Sequence, residues 1–154
     1  MITLERCTIQ SVLGRELPQE HFENGIPVVL LAMYHGDHFF LPRETKVLPS
    51  AEVYRGESVV EGIRRAFTSG LGFARRDIPT APWEVLGCLE NSEIQGPGRR
   101  VILLRYMIPE VHPITSGLGV PGDWKQGSDF MAMLSEIVPS SVFLNSPEET
   151  RLAA

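Results

Sequence analysis

At 154 residues and 43% hydrophobic content, the chain is large enough to bury about two thirds of the surface its unfolded form exposes, and residues 1–154 are read as one domain. A count of 14 basic against 19 acidic residues gives a formal net charge of -5, which argues against a nucleic-acid binder driven by phosphate neutralisation and leaves open only a local basic patch. No apolar run reaches the length of about 18 residues that a membrane span needs, and MITLERCTIQ lacks the features of a secretory signal. Two cysteines, Cys7 and Cys88, without a CxxC pair suggest neither a disulfide framework nor a zinc site, so buried thiols and a cytoplasmic location are expected.

From residue 26 the run IPVVLLAMY, then HGDH and FFLP, predicts a β-hairpin with a two-residue type II′ turn at Gly36-Asp37. RETKVLPSAEVYR after it reads as a long polar connection. Ser58 and Glu61 fit a capping box opening a helix of about three turns, in which Val59, Ile63, Ala66, Phe67 and Gly70 fall at helical spacing and Gly70 or Gly72 supplies the left-handed C-terminal cap. WEVLGCLE and RRVILLRYMI predict a long antiparallel hairpin across residues 83–108. The proline- and glycine-rich residues 109–127 read as a second irregular segment, a flap or lid. A short helix DFMAMLSEIV follows, with Phe130, Met133, Leu134 and Ile137 on one face, then the apolar VFL, and a last helix from Ser146.

FFLP, GES at 56–58, Arg65 and GLGF at 70–73 resemble a Nudix domain. The resemblance implies an α+β fold, an αβα sandwich with a mixed, largely antiparallel sheet and the box helix packed on it. The family's box places its first glutamate on Glu57, its arginine on Arg65, its apolar positions on Phe67 and Phe73, and its last glycine on Gly72. Four positions depart: the opening glycine falls on Ala51, and three glutamates fall on Ala66, Ser69 and Gly70. In the family those glutamates hold magnesium or manganese against a pyrophosphate, since hard cations require oxygen ligands. Here that helical face carries a methyl, a hydroxyl and a hydrogen.

The leading expectation is therefore a degenerate Nudix box on a protein that has lost metal-dependent hydrolysis, a pseudoenzyme that needs no cofactor and binds a small nucleotide-like ligand or a protein partner. Arg43, Arg65, Arg99 and Arg105 are the candidate ligand-binding cations, and no metal site is assigned. The alternative is a divergent phosphohydrolase for nucleoside diphosphate derivatives, with catalytic and Mg- or Mn-binding carboxylates relocated to Glu57 and Glu61, or to Glu90 and Glu93. Against it, Glu61 is already explained by the capping box and Glu57 by the helix dipole. A third reading is a homodimer packed through the small face of Ala66, Ser69 and Gly70. His35 and His38, flanking the first turn with Asp37, are read as exposed polar residues before metal ligands.

Overall fold

The structure, a computed structural model, describes residues 1–7, 9, 13–79, 83–108 and 120–144. Among the described residues seven strands form one sheet: β1 (Ile2–Glu5), β2 (Val28–His35), β3 (His38–Pro42), β4 (Ser50–Glu52), β5 (Trp83–Asn91), β6 (Val101–Met107) and β7 (Gly122–Gln126). Their order is β1-β5-β6-β2-β3-β7, and β4 pairs with β2. Only β2 and β6 run parallel; the other pairs are antiparallel. Helix α1 (Val59–Arg65), continued by a π-helical turn over Ala66–Gly70, covers one face, and α2 (Phe130–Ile137) with a 3-10 turn over Ser140–Phe143 covers the other. The mixed, mostly antiparallel sheet between helical layers is the α+β sandwich expected from the sequence.

Strand alternation divides the core. Val29, Leu31, Met33, Ile102 and Leu104 pack towards α1 with Ile63 and Phe67. Val28, Leu30, Ala32, Val101 and Leu103 pack towards α2 with Phe130, Leu134 and Ile137. A central strand buried on both faces reads as a continuous apolar run, and every residue of β2 but His35 is buried. Both predicted hairpins form. At the first turn Gly36 takes φ 59 and Asp37 stays on the negative side, as a type II′ turn requires. The α2 helix presents the predicted face, with Met133 only half buried.

Several elements differ from the sequence reading. The connection after β3 contains strand β4, bonded to β2 through Leu31 N–H to Pro49 C=O at 2.9 Å and Val53 N–H to Pro27 C=O at 2.9 Å. Alternation is invisible in three residues, so pattern alone leaves this strand as loop. The segment read as irregular over 109–127 ends in β7, held to β3 in a five-residue register from His38↔Gln126 to Pro42↔Gly122; residues 109–119 lie outside the described residues, as does the helix expected from Ser146. The N-terminus forms β1, an edge strand with alternating half-buried and exposed residues. Among the described residues no helix is long and apolar enough to cross a membrane.

The Ser58–Glu61 capping box does not form: the Ser58 side chain makes no cap hydrogen bond. The Glu61 carboxylate instead takes the Arg64 guanidinium at 2.6 Å, an i,i+3 ion pair that outcompetes a neutral amide. The helix start is satisfied from elsewhere, with the Val60 N–H donating to the Leu13 carbonyl at 3.2 Å. Of the two glycines proposed for the C-terminal cap, Gly72 takes it, at φ 72.

Gly70 has another task. A Cβ there would stand 2.5 Å from the Cβ of Pro49, and one at Gly62 would stand 2.7 Å from Val53 Cγ2. With Ala66 fully buried, Gly62, Ala66 and Gly70 form an i, i+4, i+8 line that seats the helix on β4 and its flanks. Of the small face read for a second copy, Ala66 is buried and Gly70 abuts Pro49, while Ser69 is exposed. A helical Gly→Ala change normally gains about 0.5–1 kcal/mol. Gly70→Ala is expected to lose about 1–3 kcal/mol by overpacking against the rigid proline, measured as a lowered urea midpoint at unchanged m-value.

Candidate functional site

Where α1 meets the edge strand β4 lies a half-buried bidentate ion pair. The Arg65 guanidinium donates from Nη1 to Glu57 Oε2 and from Nη2 to Glu57 Oε1, both at 2.6 Å. The same Nη2 also donates to the Glu52 carbonyl. Glu57 Oε1 accepts in addition from the Tyr54 N–H at 2.9 Å, and Arg65 lies over the Tyr54 ring at 5.1 Å from its centroid. The helix supplies Arg65, the turn before it Glu57, and the edge strand β4 the carbonyl. The hydrogen bond from Arg65 holds the Glu57 carboxyl below its ordinary range, against a smaller upward push from burial.

In this geometry the Glu57 carboxylate is engaged by Arg65 and that of Glu61 by Arg64. Of the other two acids considered, Glu93 pairs with the N-terminal ammonium at 3.0 Å and Glu90 is exposed on β5 opposite Thr3. Among the described residues no group of three or more His, Cys, Asp or Glu side chains is placed to hold a metal ion. At the family's three glutamate positions, Ala66 is buried, Gly70 abuts Pro49 and the Ser69 hydroxyl donates to the Arg65 carbonyl at 2.6 Å. These residues do not fit a divalent cation: an alanine methyl, a glycine against proline and one neutral hydroxyl supply no charge and one oxygen. His35 and His38 face each other across the β2–β3 turn; His38 Nδ1 lies 2.9 Å from Asp37, and the His35 ring lies edge-on to Trp124.

The four candidate arginines do not meet. Arg65 stands on α1, whereas Arg105 belongs to the odd-numbered set of β6 that faces α2, because successive strand residues point to opposite faces. Arg105 forms a cross-strand pair with Glu84 and lies over the Tyr34 ring at 5.4 Å. Arg43, at the end of β3, pairs with Asp123 of β7 at 3.0 Å. Arg99 is the one that lines a cavity: its Nη1 donates to Glu52 Oε2 at 3.1 Å and its Nε to the Val142 carbonyl at 2.7 Å. That cavity, of about 490 Å³, lies between β4 and the 3-10 turn after α2, with Ser50, Glu52, Arg99, Ser141, Val142 and Leu144 in its wall.

Pro49, Glu52 and Tyr54 are site residues that sequence reasoning missed. Pro49 carried a signal, as a proline at the mouth of a strand, but nothing in the sequence aims it at Gly70.

No protein-family model matches the chain, and no curated protein does. Its structure is similar to solved Nudix proteins. One is a Nudix hydrolase from Nitrosomonas europaea, at 14% identity and TM-score 0.45, over 84% of this chain and 86% of that one. Another is the MutT protein of Bacillus halodurans, at 12% identity and TM-score 0.46, over 82% and 78%. A third is the Nudix domain of Shewanella oneidensis NrtR, complexed with ADP ribose, at 10% identity and TM-score 0.46, over 88% of each chain. At these values the likeness is one of general arrangement and says nothing of chemistry.

The ion pair has a pH signature. Because the folded pKa of Glu57 is lowered from 4.5, its contribution to stability is complete above about that pH and is lost as pH falls through the lowered folded value. In Glu57→Gln the carboxylate is absent throughout. The variant is expected to be about 1–2 kcal/mol less stable than the parent near pH 7, a range discounted for partial exposure. Urea unfolding at a series of pH values should show the two proteins converging as pH falls below 4.5.

Proposed function

We propose that this chain is a Nudix-like protein that has lost metal-dependent hydrolysis and works as a non-catalytic binding module for a small nucleotide-like ligand or a protein partner. The family assignment rests on the order of hairpin, loop, helix and hairpin together with the Glu57–Arg65 pair. Both partners of that pair stand where the box motif places them. One observation carries the loss of hydrolysis: the Gly70 position of the motif is pressed against Pro49, where a Cβ would come within 2.5 Å of the proline Cβ. A glutamate there would have to displace the strand entrance before it could reach a cation.

The ligand reading centres on the cavity beside Arg99. Its volume of about 490 Å³ falls in the range of about 300–1,000 Å³ usual for small-molecule sites. The Glu52–Arg99 pair in its wall offers a donor and an acceptor side by side, suited to a ligand that carries both an anionic and an amine-bearing edge. The other three arginines are engaged in pairs on separate surfaces and add no second phosphate contact.

A panel of nucleoside diphosphate derivatives with magnesium or manganese is expected to show no turnover above the protein-free rate. Calorimetry on the same panel is expected to find saturable binding that Arg99→Ala weakens about tenfold, or by about 1.4 kcal/mol. Metal-dependent turnover that Glu57→Gln abolishes would overturn the reading.

A further inference from the structure

The only two cysteines of the chain, 81 positions apart in sequence, are neighbours in the fold. Strand β1 runs antiparallel to β5 and sets Glu5 opposite Cys88. Cys7, two residues beyond Glu5, has left the ladder, and its side chain packs onto the same core that contains Cys88. The two thiols interact, which adds to the upward push of burial on Cys88. Their exposure differs: Cys7 is half-buried, whereas Cys88 is 3% exposed. On its other side Cys88 Sγ accepts from Arg100 Nη1 at 3.8 Å.

We propose that Cys7 and Cys88 are an oxidation site, an attacking and a resolving thiol that close to a disulfide in the presence of a hydroperoxide. The accessible Cys7 is the sulfur that meets the oxidant. Its thiolate attacks the terminal oxygen of the hydroperoxide, the O–O bond breaks, and water, or an alcohol, leaves with the proton, giving Cys7 sulfenic acid. The Cys88 sulfur then attacks the Cys7 sulfur. The S–O bond breaks, hydroxide leaves as water with the Cys88 proton, and the S–S bond forms. Two thiols are oxidised by two electrons and one hydroperoxide is reduced.

Burial, reinforced by the Cys7 contact, pushes the Cys88 thiol up to about 12, so Cys88 resolves and does not initiate. Arg100 faces the charge that develops on its sulfur in that second step. Closing the bond requires the sulfurs to approach to about 2 Å, a movement available to Cys7 because its backbone lies outside the β1–β5 ladder. The product ties the chain at residue 7 to β5 and closes a loop that contains β2, β3, β4 and α1.

The test uses the full chain treated with hydrogen peroxide under native conditions, alkylated with N-ethylmaleimide and mapped by mass spectrometry without reduction. The expected product is a monomer lighter by two hydrogen atoms, with a 7–88 cross-link, a raised melting temperature and full reversal by dithiothreitol. In Cys88→Ser, Cys7 should accumulate as a sulfenic acid trapped by dimedone, at least about tenfold above the parent. Cys88→Ala serves where the serine is not accepted in the core. Cys7 sulfinic acid in the parent with Cys88 still alkylated after unfolding, a Cys7–Cys7 dimer, or two unmodified thiols would each overturn the proposal.

Discussion

The distance between the α1 helix and strand β4 is set by atoms that are missing. At Gly62 and Gly70 the space of a Cβ is taken by Val53 and Pro49, and Ala66 between them has no exposed surface. Three small residues at four-residue spacing let the helix axis come close to the edge of the sheet. Phe67, one position on from Ala66, is thereby driven into the core against Phe73 and Tyr106, at ring separations of 5.1 and 6.1 Å. The π-helical turn over Ala66–Gly70 lies in this contact. An extra residue in a turn shifts the phase of the side chains that follow, which bears directly on any motif whose spacing assumes a regular helix.

Arg65 complements this contact from the outer side. Strand β4 turns the backbone groups of Pro49 and Val53 towards β2; by alternation the Glu52 carbonyl faces away, where an unpaired edge would otherwise meet solvent. Arg65 covers it. Its remaining donors hold Glu57, which in turn holds the Tyr54 amide. One guanidinium thus joins helix, edge strand and the turn between them. A planar fork with several donors suits that task where a lysine would not. Removing either charged partner would leave the other half-buried and unpaired, which is the costly way to lose such a pair.

The parts of the fold written in long periodic runs were legible from residues alone. The runs through β2, β5 and β6 and the apolar face of α2 each extend over seven residues or more, long enough for period and propensity to agree. The short edge elements were not. β1 and β4 have four and three residues, and they exist because a partner strand offers hydrogen bonds, not because their own sequence prefers to extend. The Glu57–Arg65 pair does not follow from helical spacing, because Glu57 stands in the turn before α1; only the resemblance to the box motif put the two residues together. The failure of the capping box was not legible either, because it turns on whether Glu61 meets Arg64 or its own backbone first. Nor could the dispersal of the four arginines be foreseen without the parity of β6, which sends Arg105 to the face opposite Arg65.

The two halves of the box motif separate on physical grounds. Its matching positions are each accounted for by folding: Glu57 and Arg65 by their mutual pair, Phe67 and Phe73 by an edge-to-face contact, and Gly72 by a left-handed cap at φ 72. Its departing positions lie on or beside the line that seats the helix on β4, where a longer side chain at Ala66 or Gly70 would have to push the sheet edge away. A sequence match confined to the first set is therefore accounted for by the fold. A carboxylate placed at Gly70 would need β4 to withdraw from the helix before a hydrated cation had room beside it.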